Sequence, residues 1–194
     1  MSLTLQRPAH RPLIIAHRGF RACYPENTPL AFAKSLGRCD LIELDVRLSQ
    51  DGQVVVFHDA YLGRTSDAEQ VALSLGKTSL ALVQQTGSED LVLLSSFVHA
   101  ALAHCRRLVP HLALAALQEG AHPPDLLAYL HHLGLSVYHP QNSLVDAALI
   151  QTLAAAGIIV NVFTVNDARR IEQLAAWGVT GIFTDFPDLN HPGR

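Results

Sequence analysis

Three short runs of this 194-residue chain end in side chains that can move protons or hold a cation. LIIAHRG delivers His17 and Arg18, LIELDV carries Glu43 and Asp45, and VVVFHD ends in His58 and Asp59. Glu43 and Asp45 are two residues apart, so on a strand they point to the same side as a pair of oxygen donors. They stand within an apolar run, where unpaired carboxylates are costly unless positive charge meets them. A histidine at a strand end is more often a hydrogen-bonded structural group, and an acidic pair is often a solvated edge. Their recurrence at strand ends in one half of the chain is what points to one site. Two imidazoles, a guanidinium and a carboxylate pair suit phosphodiester cleavage. A metal and Arg18 would neutralise the phosphoryl oxygens, one histidine would take a proton from the nucleophile, and the other would give one to the leaving alkoxide. Hard carboxylate oxygens favour Mg²⁺ or Ca²⁺ over zinc.

The elements that must position these groups follow from periodicity. Short β-rich runs alternate with longer Ala/Leu-rich stretches of helical spacing, the pattern of parallel strands joined by crossover helices. Strands are predicted at 13–16, 41–46, 54–58, 91–95, 111–115, 136–138, 158–163 and 181–184. Helices are predicted at 28–36, 79–85, 99–107, 124–133, 144–156 and 167–177, the last started by Asn166 or Asp167 and ended by Gly178. Asp51-Gly52 supplies the positive φ of a tight turn, so 54–58 reads as a hairpin arm after the second strand. About seven staves remain where a closed β/α barrel has eight. The predicted architecture is an α/β, TIM-type barrel of one domain, 1–194, with one stave missing or minimal. Functional groups in such folds collect at the carboxyl edge of the sheet.

A formal charge of −3 gives no basic field for nucleic acid, which is excluded as a partner. Only two lysines occur, Lys34 and Lys77, so any motif needing lysine has few candidates. Cys23, Cys39 and Cys105 make an odd, widely spaced set, which reads as a reducing compartment. No apolar run approaches the ~20 residues of a membrane helix, and the first residues lack a signal-peptide pattern. The expectation is a cytoplasmic protein without a transmembrane segment.

The runs AHRGFRACYPENTPLAF, LIELDVRLSQDGQVVVFHDAYLGRTSD and VNVFTVNDARRIEQLAAWGVTGIFTDFPD resemble glycerophosphodiester phosphodiesterases, and LVLLSSFVHAALAHCRRLVPHLALAAL resembles that family's SSF strand and the unit after it. The resemblance implies a barrel enzyme that hydrolyses small-molecule glycerophosphodiesters to glycerol 3-phosphate and an alcohol with a bound divalent cation. It makes His17 and His58 the acid–base pair, Arg18 the phosphate-binding arginine, and Glu43 and Asp45 two metal ligands. Glu26 and Asn27, in PENT, stand beside that site.

The sequence departs from the family at the next barrel strand, which normally carries a Glu-x-Lys pair. Between Asp67 and Leu91 the chain is too short for the usual insertion, strand and helix, and it holds no Glu-x-Lys. VALSLGK offers a minimal replacement ending in Lys77 near the phosphate; alternatively the gap is closed by a neighbouring helix or a partner subunit. Glu119, after the strand at 111–115, is the candidate third ligand, with Glu69 and Glu89 as further options and solvated surface charge as the plainer reading of all three. Phe163 stands where the family often has Trp and keeps an aromatic wall. Tyr138, His139 and Gln141 are pocket-lining candidates, and Asp185 could orient a neighbour or cap a turn. His104–Cys105 and His131–His132 match no zinc spacing. Two rivals to an active hydrolase follow from the departure: a degenerate member that binds a phosphodiester or sugar phosphate without turnover, and an interaction protein whose open edge is covered in a homo-oligomer.

Overall fold

A computed structural model describes residues 5, 7–48, 54–59 and 92–188. Its main sheet is entirely parallel. The apolar run before His17 forms β1 (Leu13–Ala16), buried at all four positions. It pairs with β2 (Leu41–Ile42) on one side and with the last strand, β9 (Gly181–Thr184), on the other. From β5 (Leu93–Ser96) the chain steps one place at a time through β6 (Ala113–Gln118), β7 (Val137–Pro140) and β8 (Ile159–Val162) to β9. Pairing of the first strand with the last is what curls a sheet of this order into a β/α barrel. Among the described residues it has seven staves, with edges at β2 and β5. Residues 60–91, which join those edges in sequence, lie outside the described residues, as do the replacement strand ending in Lys77, the helix at 79–85 and the Asp51-Gly52 turn.

The hairpin arm is present. β3 (Val46–Leu48) and β4 (Val54–Val56) pair antiparallel, Val46 against Val56, separate from the seven-stranded sheet. The predicted strand at 41–46 is therefore two strands, with Glu43, Leu44 and Asp45 as the irregular link between barrel and arm. Strands 111–115 and 136–138 run two residues further than predicted or more, to Gln118 and Pro140.

Capping explains where the helices start. Thr28 precedes α1 (Pro29–Ser35) and its Oγ1 accepts from the Ala31 amide at 3.2 Å, with Pro29 in the first turn, where a missing N–H costs nothing. After α2 (His99–Leu108), Asp125 caps α3 (Leu126–His132), Asp146 caps α4 (Ala147–Ala155), and Asp167 caps α5 (Ala168–Trp177), which ends at Gly178 with φ 97°. Ile14, Leu114, Tyr138, Val160 and Ile182 of the strands pack against Leu102, Leu130, Ile150, Leu153 and Leu174 of the helices as one core. This leaves the carboxyl ends of the strands to carry polar groups. Among the described residues no helix is long and apolar enough to cross a membrane.

Candidate active site

His17 follows β1 directly, and its amide still bonds to the Thr184 carbonyl at 2.9 Å, so the sheet fixes its backbone. Across the β1–β9 seam, its Nδ1 donates to Asp185 Oδ1 at 2.7 Å. Asp185 is in turn oriented by Asn166, whose Nδ2 donates to Oδ2 at 2.8 Å and whose Oδ1 accepts from the Asp185 amide at 2.9 Å. Burial disfavours the Asp185 charge, but the bonds from His17 and Asn166 and the nearby Arg21 outweigh it and hold the carboxyl below the usual range. Asp185 is thus the histidine's orienting partner. Asn166 serves this pair and leaves the helix cap to Asp167.

The turn after His17 is tightly constrained. Arg18, Gly19 and Asn27 all have positive φ, at 55°, 80° and 58°, and two of the three are not glycine. Arg18 is 8 % exposed. Its Nη1 donates to Glu26 Oε1 at 3.0 Å, and its Nε lies 3.1 Å from Asp45 Oδ2 as an ion pair without hydrogen-bond alignment. Asn27 grips Asp45 twice: Nδ2 donates to Oδ2 at 2.9 Å, and Oδ1 accepts from the Asp45 amide at 3.1 Å. PENT therefore orients one of the two carboxylates. The other, Glu43, accepts from the Arg18 amide at 2.9 Å. The residue as a whole is only partly covered, yet its carboxyl group lies deep in the site. Burial first, and then the Asp45 charge, push it up to about 7 against the opposing pull of His17 and Arg18.

Two nearby carboxylates, one raised by burial and by its neighbour, are a donor set that a hard divalent cation would relieve. Glu43 and Asp45 fit such an ion as two of its oxygen ligands. Among the described residues no third Asp, Glu, His or Cys gathers with them. Glu119 stands exposed just beyond β6 and does not join the pair. Lys77, Glu69 and Glu89 lie outside the described residues.

The arm returns the chain beside the Asp45 backbone and ends at the second histidine. The Phe57 amide bonds to the Asp45 carbonyl at 3.0 Å, and Arg47 Nε donates to the His58 carbonyl at 2.7 Å. His58 Nδ1 donates to Asp59 Oδ1 at 2.6 Å. Between the arm and the loop before α1 lies an open cavity of about 510 Å³, lined by His58 and Phe57 on one wall and by Arg21, Tyr24 and Glu26 on the other.

Other candidates sit elsewhere. Phe163 is the middle of a row of edge-to-face rings, 5.8 Å from Phe97 and 6.4 Å from Phe183, and does not line this cavity. His139 does not line the cavity. It is 2 % exposed inside the barrel, accepts from Asn161 Nδ2 at 3.0 Å, and is pushed down to about 3 by burial, which keeps it neutral. Tyr138 is also fully buried and bonds to His122 at 2.8 Å. Nothing in the sequence singles out Arg21. Its Nε donates to Glu26 Oε2 at 2.8 Å and its Nη1 reaches Asp185 Oδ1 at 3.4 Å. Only the reversal of the loop at 19–24 reveals that contact, and no spacing rule signals it.

Known proteins resemble this chain in sequence and in fold. The glycerophosphoryl diester phosphodiesterase family pattern matches residues 17–85 and 70–189. The two stretches overlap at 70–85, as happens when a chain lacks an internal piece of the pattern. A glycerophosphodiester phosphodiesterase of Bacillus altitudinis is 32% identical over 234 positions, covering 90% of this chain and 95% of the relative. Those positions outnumber the 194 residues of this chain, so the relative carries stretches that it lacks. A phosphodiesterase of Oleispira antarctica, solved with the product sn-glycerol-3-phosphate, superposes with a TM-score of 0.74 at 26% identity, over 92% of this chain and 94% of that one. A glycerophosphodiester phosphodiesterase of Parabacteroides distasonis gives 0.78 at 19% identity, over 93% and 95%, which speaks for the fold alone.

Proposed function

This chain belongs to the glycerophosphoryl diester phosphodiesterase family, and from that premise we propose that it hydrolyses glycerophosphodiesters to glycerol 3-phosphate and an alcohol, with His17 and His58 exchanging the protons. The observation that carries this reading is the pair of histidine–carboxylate contacts, 2.7 Å at His17–Asp185 and 2.6 Å at His58–Asp59. Each fixes Nδ1 as the donor and leaves Nε2 as the nitrogen that can take or give a proton. His17 acts on the Glu43 carboxyl, and His58 stands on the arm whose Phe57 amide bonds to the Asp45 carbonyl.

The surroundings favour a division of labour. His17 is paired with a carboxyl held in its charged form and is 14 % exposed, which suits a base that removes the nucleophile's proton. His58 is 40 % exposed and opens on the cavity, where the departing alcohol has room, which suits the acid. As the new P–O bond forms and the bond to the alcohol breaks, a proton passes to His17 and another leaves His58 for the alkoxide. Arg18 holds Glu26 and Asp45 in place and adds positive charge beside the site. A divalent cation, Mg²⁺ or Ca²⁺, held by Glu43 and Asp45 would supply neutralisation of the phosphoryl oxygens.

The test is turnover of glycerophosphocholine, glycerophosphoglycerol and a p-nitrophenyl glycerophosphodiester with Mg²⁺, Ca²⁺ or chelator. Cation-dependent activity that chelator and His17→Ala abolish is expected. Inactivity with every cation would overturn the reading in favour of a degenerate binder, the rival that the lack of a Glu-x-Lys pair between Asp67 and Leu91 favours.

A further inference from the structure

The cavity beside His58 has a charge balance that bears on which alcohol leaves. Its aromatic residues, Tyr24 and Phe57, would suggest a cage for a quaternary ammonium, but the neighbours oppose that use. Lys34 Nζ already lies 5.8 Å from the centre of the Tyr24 ring. Glu26, the acidic residue lining the cavity among the described residues, is engaged at both oxygens, Oε1 by Arg18 and Oε2 by Arg21. Both oxygens of that lining carboxylate are therefore committed to guanidiniums, and an incoming ammonium meets the Arg21 charge on the cavity wall and Lys34 already beside the Tyr24 ring.

Arg21 is one-third exposed on the cavity wall. Nε and Nη1 face Glu26 and Asp185, and Nη2 has no bond among the described residues, so its N–H groups are available to a hydroxyl or an anionic oxygen. We infer that Arg21 sets the preference among leaving alcohols, favouring neutral polyols such as glycerol or inositol over cationic choline or ethanolamine. The inference rests on the hydrolase reading above and names the substrate class of that same site. Because Arg21 also touches the partner of His17, its replacement lowers turnover on every diester; the ratio between diesters isolates the selectivity.

The experiment compares kcat/KM for glycerophosphoglycerol and glycerophosphocholine, followed by glycerol 3-phosphate release at saturating Mg²⁺. The wild-type chain is expected to favour the glycerol diester roughly tenfold, the scale of one like-charge contact in a half-solvated cleft, with the preference shrinking at high salt. Arg21→Gln brings the ratio to within about threefold, and Arg21→Lys retains most of it. A wild-type chain that treats both diesters alike or prefers the choline diester overturns the inference without any variant. An Arg21→Gln ratio equal to the wild-type one does so as well. Inactivity on both diesters overturns the hydrolase reading and this inference with it, whereas turnover of both with an indifferent ratio overturns the inference alone.

Discussion

The two histidine–carboxylate pairs look alike in distance and differ in what builds them. His17 and Asp185 are 168 residues apart in sequence and meet only because the first and last staves pair. His58 and Asp59 are sequence neighbours on a two-stranded arm outside the main sheet. The first pair is 14 % and 18 % exposed and is braced by Asn166 and Arg21. In the second, the histidine is 40 % exposed and its backbone is held by one arginine. A group whose orientation depends on the pairing of the first and last staves is pre-organised for a step that every substrate shares. A group on an arm that faces a cavity meets the part of the substrate that varies. The largest expected effect follows from that contrast. His17→Ala lowers kcat by about 10³-fold on alkyl and p-nitrophenyl diesters alike. His58→Ala costs a similar factor on an alkyl diester but about tenfold or less on the p-nitrophenyl one, whose leaving group needs no proton. Equal losses across leaving groups in both variants would remove the division of labour between the pairs.

The barrel-side pair also depends on a turn that tolerates little. A Cβ on Gly19 would meet the carbonyl carbon and Cβ of Ala31 at 2.8 Å, at a φ of 80°. Gly37 has a similar φ, 73°, and open space around it. Gly19→Ala is expected to cost about 3 kcal/mol, lowering Tm by roughly 10 °C, and Gly37→Ala about 1 kcal/mol and roughly 3 °C. Thermal unfolding of the two variants measures the difference. Matching shifts would mean that the backbone conformation alone sets the cost and that packing of the turn beside His17 on α1 adds nothing.

The same contrast marks what the sequence could reveal. Local signals are legible: a cap at Asn166 or Asp167, Gly178 as a helix end, and the arm with its antiparallel pairing can be read from residues that act on their own neighbours, whereas Thr28, read as the first helical residue, is the cap before it. His58 beside Asp59 is legible too, since it needs no tertiary information. The sequence leaves the role of Asp185 open between orienting a neighbour and capping a turn, because only the pairing of β1 with β9 brings it to His17. The predicted strand through Glu43 and Asp45 breaks at those residues, since the arm must turn out of the barrel there. Composition could not foresee that His139, at the end of an apolar run, stays sealed inside the barrel against Phe183, their ring centroids 5.0 Å apart.

The smallest expected effect tests whether the Glu43–Asp45 pair belongs to the His17 side. In the folded chain Glu43 holds its proton more tightly than an ordinary carboxyl, with burial and Asp45 raising its value and the charges of His17 and Arg18 opposing. A group raised in the folded state contributes stability at low pH that is lost as pH climbs from the ordinary carboxylate value through about 7. Metal-free protein should therefore lose a few degrees of Tm across that window, and Glu43→Gln should flatten the slope and melt higher than wild type at pH 8. Mg²⁺ or Ca²⁺ should restore the wild-type Tm at pH 8 while helping Glu43→Gln less, because an ion that binds the folded state stabilises it in proportion to its affinity. The two histidines then separate. Removing His17 takes away an opposing charge and should steepen the slope, whereas His58→Ala, absent from the groups acting on Glu43, should leave it unchanged. A slope that responds equally to both would place the carboxylate midway between the pairs, and the asymmetry between a barrel-built base and an arm-built acid would lose its electrostatic half.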